Sequence, residues 1–309
     1  MNDTTSQPAA ATSNTTGREP LYSRGVAMIM VAGCFFSLGG LLVRLVEDAG
    51  PWQILLFRSV MLSITVFAVL VVRHRGKVFG EFRKSGIAAV IGALCLGVAF
   101  SGFIFSLLHT SVANAVFILC ASPFFTAPLA WLVLGEKVRQ KTWIAMVFAI
   151  IGVGVMVSGG ISSGALLGNL MALFAVAGFA GFAVALRWGR DTDMLALTCL
   201  AGLFTAVVAA VMCDDFAISA YDMGLCVIMG GVQMSAGLVL FTKGSRLVPA
   251  AELALLSLTE VVLAPIWVWL WIGEIPRVWT LLGGAIVFAA IIGHAVTGMR
   301  RKPAPYGAV

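Results

Sequence analysis

Residues 87–108 read IAAVIGALCLGVAFSGFIFSLL, a run of 22 residues without a single Asp, Glu, Lys or Arg. At about 1.5 Å per residue, a helix of that length covers the ~30 Å hydrocarbon core of a bilayer. Only a helix crosses as one segment, because lipid cannot satisfy free backbone N–H and C=O groups. The rest of the chain repeats the pattern. Of its 309 residues, 60% are hydrophobic and 11% charged, and the mean hydropathy is +1.02. That is too little charge to cover a soluble surface.

Working outward, apolar runs of this kind fall at 25–46, 53–72, 87–108, 111–133, 142–159, 165–187, 194–213, 223–243, 248–271 and 279–298. The fold class expected is therefore an all-α polytopic membrane protein with ten transmembrane helices. Residues 1–24, rich in Ser, Thr, Asn and Ala, read as a disordered cytoplasmic tail, and 299–309 as a second one. The first apolar run exceeds a signal-peptide core and lacks an evident cleavage site, so it is read as a retained span.

Charge placement supports the count. With the N-terminus inside, 17 of the 20 Lys and Arg residues fall in inner segments, from Arg18 and Arg24 through Arg73, Lys84, Lys137, Arg190 and Arg246 to Lys302. Only Arg277 falls outside, while Arg44 and Arg58 lie in spans. Acids fill the outer connections: Glu47, Asp48, Asp214, Asp215 and Asp222. One span more or fewer would invert every later loop and erase the asymmetry. The location expected is the cell (inner) membrane, with both termini cytoplasmic.

The halves repeat. Trp131-Leu132-Val133-Leu134-Gly135-Glu136 ends the fourth span, and Trp269-Leu270-Trp271-Ile272-Gly273-Glu274 ends the ninth, 138 residues later. At a similar offset Arg44 corresponds to Arg187. Five spans per half force the second repeat, 160–298, to lie inverted relative to the first, 25–159. Inverted repeats recur in secondary transporters, with the substrate site near midplane at their interface.

This ten-span plan, the Gly-Glu pairs, and the opening Pro51-Trp52-Gln53-Ile54-Leu55-Leu56-Phe57-Arg58 of the second span resemble the EamA-type family of the drug/metabolite transporter superfamily. The resemblance implies transport of small organic metabolites, often export of amino acids or related compounds. The family often has a Glu-Pro pair fourteen residues before its last Gly-Glu glutamate. Here Glu260 holds that position, Val261 follows, and the proline comes at Pro265, which implies a helix break displaced by about a turn.

Glu260 lies near the middle of its span, where a carboxylate is costly and usually faces a cavity or a partner. It is the first candidate for binding substrate or a coupling proton. Arg58 could attract an anionic group, pair with Glu260, or snorkel to the outer headgroups. Ser122, Gln233 and Ser235 complete the candidate site, although such groups commonly serve interhelical hydrogen bonds. Pro123, Pro128 and Pro265 are candidate helix breaks in corresponding spans. Glu252 and Lys243, near inner span ends, read as solvated. Phe35, Phe36, Phe100, Phe103, Phe179 and Phe182 recur in spans one, three and six, as pocket walls or core.

Other classes fit less well. Gly160-Ile161-Ser162-Ser163-Gly164 has the GxSxG form but sits in a turn, without the strand-to-helix elbow that chemistry needs. No HExxH or Walker A pattern is present, so a zinc enzyme or an ATP-driven pump is not expected. An intramembrane enzyme and a passive scaffold are the alternatives to a transporter. The six cysteines form no CxxC pair and read as packing residues. The expected partners are a small-molecule substrate and the lipid bilayer, with no nucleic acid, metal or cofactor.

Overall fold

The computed structural model describes residues 19–75, 78–109, 115, 118–119, 121–136, 138, 140–158 and 166–273. Toward the C-terminus it also describes 278, 282–283, 285–287, 289–290 and 292–293. Among these residues all regular structure is helical. The helices are α1 (Glu19–Arg44), α2 (Pro51–His74), α3 (Val78–His109), α4 (Ser122–Leu134), α5 (Gln140–Ser158), α6 (Leu166–Trp188) and α7 (Leu195–Met212). α8 (Ala220–Ser245) follows, then α9 (Ala250–Ser257) and α10 (Thr259–Ile272). Among the described residues, seven segments are long and apolar enough to cross a membrane: α1, α2, α3, α6, α7, α8, and Glu252–Trp271 across α9 and α10. α4 and the stretch Gln140–Gly152 of α5 are apolar but shorter. Large side chains such as Val72 (81% exposed) and Leu132 (76%) point outward, as lipid-facing positions do and a soluble surface does not.

α3 begins before its span. At Gly86 the backbone turns to φ 58, ψ −156, a conformation that glycine alone adopts without strain. The turn separates a charged first segment, where Lys84 Nζ lies 2.7 Å from Glu81 Oε1, from the apolar run that starts at Ile87.

The helices pack through small residues, because lipid removes the hydrophobic drive between apolar faces and leaves close approach as the main gain. α3 and α6 make the most extensive contact. A Cβ on Gly102 would lie 2.7 Å from the Met171 carbonyl oxygen, and one on Gly178 would lie 2.7 Å from the Ala99 amide nitrogen. Four phenylalanines then join three helices: Phe36 of α1, Phe179 and Phe182 of α6, and Phe241 of α8, with ring centroids 5.5–6.0 Å apart. Phe36, Phe179 and Phe182 are thus core.

Hydrogen bonds sort the helix ends into two groups. At one end, Arg73 in the last turn of α2, Arg187 in the last turn of α6 and Arg246 after α8 meet Asp193 and Glu136, which also accept from Ser85 of α3 and from Ala250 at the start of α9. At the other, Gln53 of α2 donates to the Asp215 and Ala217 carbonyls before α8. The basic and acidic connections read from the sequence therefore lie at opposite ends of the described bundle.

Candidate functional site

α8 is not α-helical throughout. Ile228–Met234 is wound as a π-helix, a form that often marks functional positions. Ser235 supports it by donating to the Gly230 carbonyl five residues back, at 2.6 Å. Its two faces meet different neighbours. Gln233 Nε2 donates to the carbonyls of Phe35 (2.9 Å) and Phe36 (3.4 Å) on α1. Gly230 packs on α2 directly against the Arg58 carbonyl. The Gln233 amide nitrogen and the Ser235 hydroxyl thus donate to backbone.

Arg58 does not snorkel. It is 5% exposed, and its guanidinium carbon lies 5.0 Å from the centroid of the Phe100 ring on α3. Its Nη2 is buried without a hydrogen-bond partner. Among the described residues it forms no ion pair with Glu260 or any other acid, so of the alternatives open to Arg58, pairing with Glu260 is not the one seen there.

Glu260 stands just beyond a break. α9 ends at Ser257, Leu258 adopts ψ −6, and α10 begins at Thr259. Hydrogen bonds of i to i−3 type tighten the joint: Leu258 N to Leu255 O and Val261 N to Leu258 O. The hydroxyls of Ser257 and Thr259 bond back to the carbonyls of Ala254 and Leu256, a local competition with the helix ladder that bends helices. The discontinuity therefore lies at Leu258, upstream of Glu260, rather than at Pro265, through which α10 continues to Ile272. The Glu260 side chain is half-buried. Among the described residues no hydrogen bond or ion pair reaches its carboxylate. A Cβ on Gly33 of α1 would touch Thr259 at 3.0 Å, and two turns along α10 Trp267 Nε1 donates to Ser37 Oγ of α1 at 2.7 Å.

α4 repeats this design. Ala121 has ψ −9, and its N–H bonds Ile118 O, three residues back. Ser122 opens the helix, buried, with Pro123 beside it and Pro128 inside. Pro123 thus starts a helix instead of breaking one. α4 has 13 residues and α10 has 14, and each ends on a glycine with positive φ, Gly135 (65°) and Gly273 (79°). Counted back 138 residues, Glu260 falls on Ser122. Glu274 and the 160–164 segment lie outside the described residues.

At the basic end, Glu136 and Arg187 form a clasp. Arg187 Nε lies 2.8 Å from Glu136 Oε1, and Arg187 Nη1 donates to the Arg246 carbonyl. Glu136 Oε2 accepts from Ala250 N at 3.3 Å. Beside it, Asp193 takes Arg73 Nη1 at 3.0 Å and His74 Nε2 at 2.8 Å. Glu252, expected to be solvated, is 3% exposed and accepts from Tyr22 Oη at 2.7 Å; Lys243 is exposed. The clasp gathers the ends of α4, α6, α8 and α9. Arg187 is buried and Glu136 only partly so; removing the arginine strands a partly buried carboxylate, so Arg187→Gln is expected to destabilise the protein by about 2 kcal/mol. Thermal unfolding in detergent checks this. The double change with Glu136→Gln should cost less than the sum of the two singles, and strict additivity would mean the pair contributes nothing.

Sequence reasoning missed the π segment, the break at Leu258 and the Asp193 hub. It also missed Asp222, which accepts from the amides of Glu47, Asp48 and Ala49 at 3.0–3.1 Å. The Gly230-Gly231 pair and the hydroxyls flanking Leu258 are the only signals of the first two.

A family model described as the EamA-like transporter family matches the chain twice, over residues 23–158 and 166–295. Solute carrier family 35 member G1 of Homo sapiens is 25% identical over 296 residues, covering 90% of this chain and 80% of its own. The pseudopaline exporter CntI of Pseudomonas aeruginosa is 26% identical over 291 residues, covering 90% and 98%. A crystal structure of a protein with 16% sequence identity superimposes with a TM-score of 0.75 over 90% of this chain and 98% of its own, so the two share a fold.

Proposed function

The chain belongs to the EamA-like transporter family, and from that premise we propose that it is a secondary transporter moving a small, partly apolar organic metabolite by alternating access. It is a multi-pass membrane protein, and its curated relatives that carry a descriptive name are transporters rather than enzymes. The observation that carries the finer reading is Glu260: an acid near midspan, half-buried, beside a helix break and without a partner among the described residues. Such a group is free to take a coupling proton or a polar group of the solute.

The architecture proposed is ten helices in two inverted halves, 25–159 and 160–298, that rock about the site. The double family match, the matched interruptions at Ala121 and Leu258, and the matched Gly135 and Gly273 caps support it. Both termini are placed in the cytoplasm of the cell (inner) membrane on the strength of the 17 inward basic residues. One relative is named for export, so export is the direction to test first.

Purified protein in liposomes is expected to give saturable flux of such solutes. In intact cells, single cysteines in 214–222 should label from outside and those in 73–84 only from inside. Ion currents without solute flux would overturn the reading, and the opposite labelling pattern would overturn the orientation.

A further inference from the structure

Among the described residues two arginines are buried to a similar degree, Arg187 at 4% exposure and Arg58 at 5%. Arg187 is satisfied in the ordinary way, by the Glu136 carboxylate and a backbone carbonyl. Arg58 is not. Its Nη2 is buried with nothing to donate to, and no described acid pairs with it. A guanidinium presents five donors in a planar fork that matches a carboxylate. An orphaned one inside a membrane bundle is a standing cost unless something fills it for part of the cycle.

The surroundings say what could fill it. The Phe100 face stacks on the guanidinium at 5.0 Å and leaves the fork's edge for an anion. Farther along the same α2–α3 seam, toward the acidic end, Trp52 and Phe105 meet edge to face at 4.7 Å. Six residues from Trp52 to Arg58 place that aromatic pair about 9 Å from the cation along the helix. On the other side, Gly230 in the π segment packs against the Arg58 backbone, which ties the position of the cation to that segment. We propose that Arg58 anchors a carboxylate of the transported solute. The substrate class is then a small organic anion whose apolar, preferably aromatic, body lies along the α2–α3 seam. The inference rests on the transporter reading for its physiological meaning but concerns binding, which is measured separately.

The test uses the purified full chain in detergent and three probe pairs: indole-3-acetate, benzoate and hexanoate, each beside its neutral amide. Each acid of a recognised pair should raise the thermal unfolding midpoint saturably, and its amide should not. Arg58→Gln should weaken acid binding by about tenfold or more, the loss of a charge-assisted hydrogen bond. Arg58→Lys keeps the charge but loses the fork, and should fall between the two. If Arg58→Gln does not fold, Arg58→Lys and Phe100→Leu carry the test, both weakening acids and leaving the amides unchanged. Equal shifts by acid and amide, no shift by any acid, or full binding in the Arg58 variants would each overturn the proposal. An anionic headgroup offers the same chemistry, so phosphatidylglycerol forms a separate arm. A response to that lipid alone would also overturn it. Arg58-dependent binding without flux would sink the transporter reading and leave the site standing, while flux of anions with an unchanged KM in Arg58→Gln would do the reverse.

Discussion

Glu260→Gln is expected to insert, fold and purify like the parent chain and to lose transport driven by a pH gradient. The substitution keeps the shape of the side chain and removes its ability to carry a proton. Nothing among the described residues would be left unpaired, since no hydrogen bond or ion pair reaches the carboxylate. Insertion should not suffer either, because an acid at the centre of a span costs about 3 kcal/mol and an amide less. The effect is therefore expected in function alone. The joint at Leu258, held by i to i−3 bonds and two hydroxyls, puts Glu260 in the first turn of α10, where a change in winding would move it. Glu260→Asp keeps the proton site and shortens the reach, so it should retain partial activity. Proteoliposome uptake, with and without an imposed pH gradient, separates these cases. Flux in Glu260→Gln at the parental rate with an unchanged pH profile would make the residue structural.

Much of this fold was legible in the sequence because lipid imposes a coarse rule. Runs long enough to cross and charges segregated by side predicted spans at 53–72 and 223–243, and the structure places α2 at Pro51–His74 and α8 at Ala220–Ser245. The helix joints were less legible, and the reason is physical. Proline is the visible helix breaker, so Pro265 drew the break toward itself. In a buried helix, however, neighbouring groups absorb the missing N–H, while the hydroxyls of Ser257 and Thr259 turned the backbone at Leu258. The π segment is fainter still. Ile228–Met234 has the composition of any apolar helix, and the change from i→i+4 to i→i+5 bonding leaves no side-chain period to read. Among the site residues, Arg58 and Glu260 stood out because charge in a span is rare. Whether they met was not readable from depth along the chain, and in the structure Arg58 lies over Phe100 with no ion pair to Glu260, whose backbone packs beside Gly33 of α1.

Gly230→Ala is expected to be among the most damaging single-methyl changes in the chain, and Gly231→Ala next to it among the mildest. A Cβ at residue 230 would enter the van der Waals shell of the Arg58 carbonyl oxygen and lie 2.9 Å from its carbonyl carbon and 3.0 Å from the Leu62 amide nitrogen. All three atoms belong to the α2 backbone, which cannot swing aside as a side chain can. α2 and α8 must part, and the contacts between them go with the separation. Overpacking of this kind costs about 1–3 kcal/mol in cores, occasionally more, and rigid backbone on both sides argues for the upper end. A Cβ at residue 231 meets only Thr65 Oγ1, at 3.5 Å, an ordinary contact. The two substitutions share composition, depth and π winding, and both gain alanine's higher helix propensity, about 1 kcal/mol over glycine. Their difference therefore isolates the close approach. Thermal unfolding in detergent should rank Gly230→Ala well below Gly231→Ala. Because the displaced atom is the Arg58 carbonyl, the first variant should also lose the acid-dependent stabilisation that the second keeps. Equal midpoints for the two would mean that the π segment does not approach α2 at Gly230.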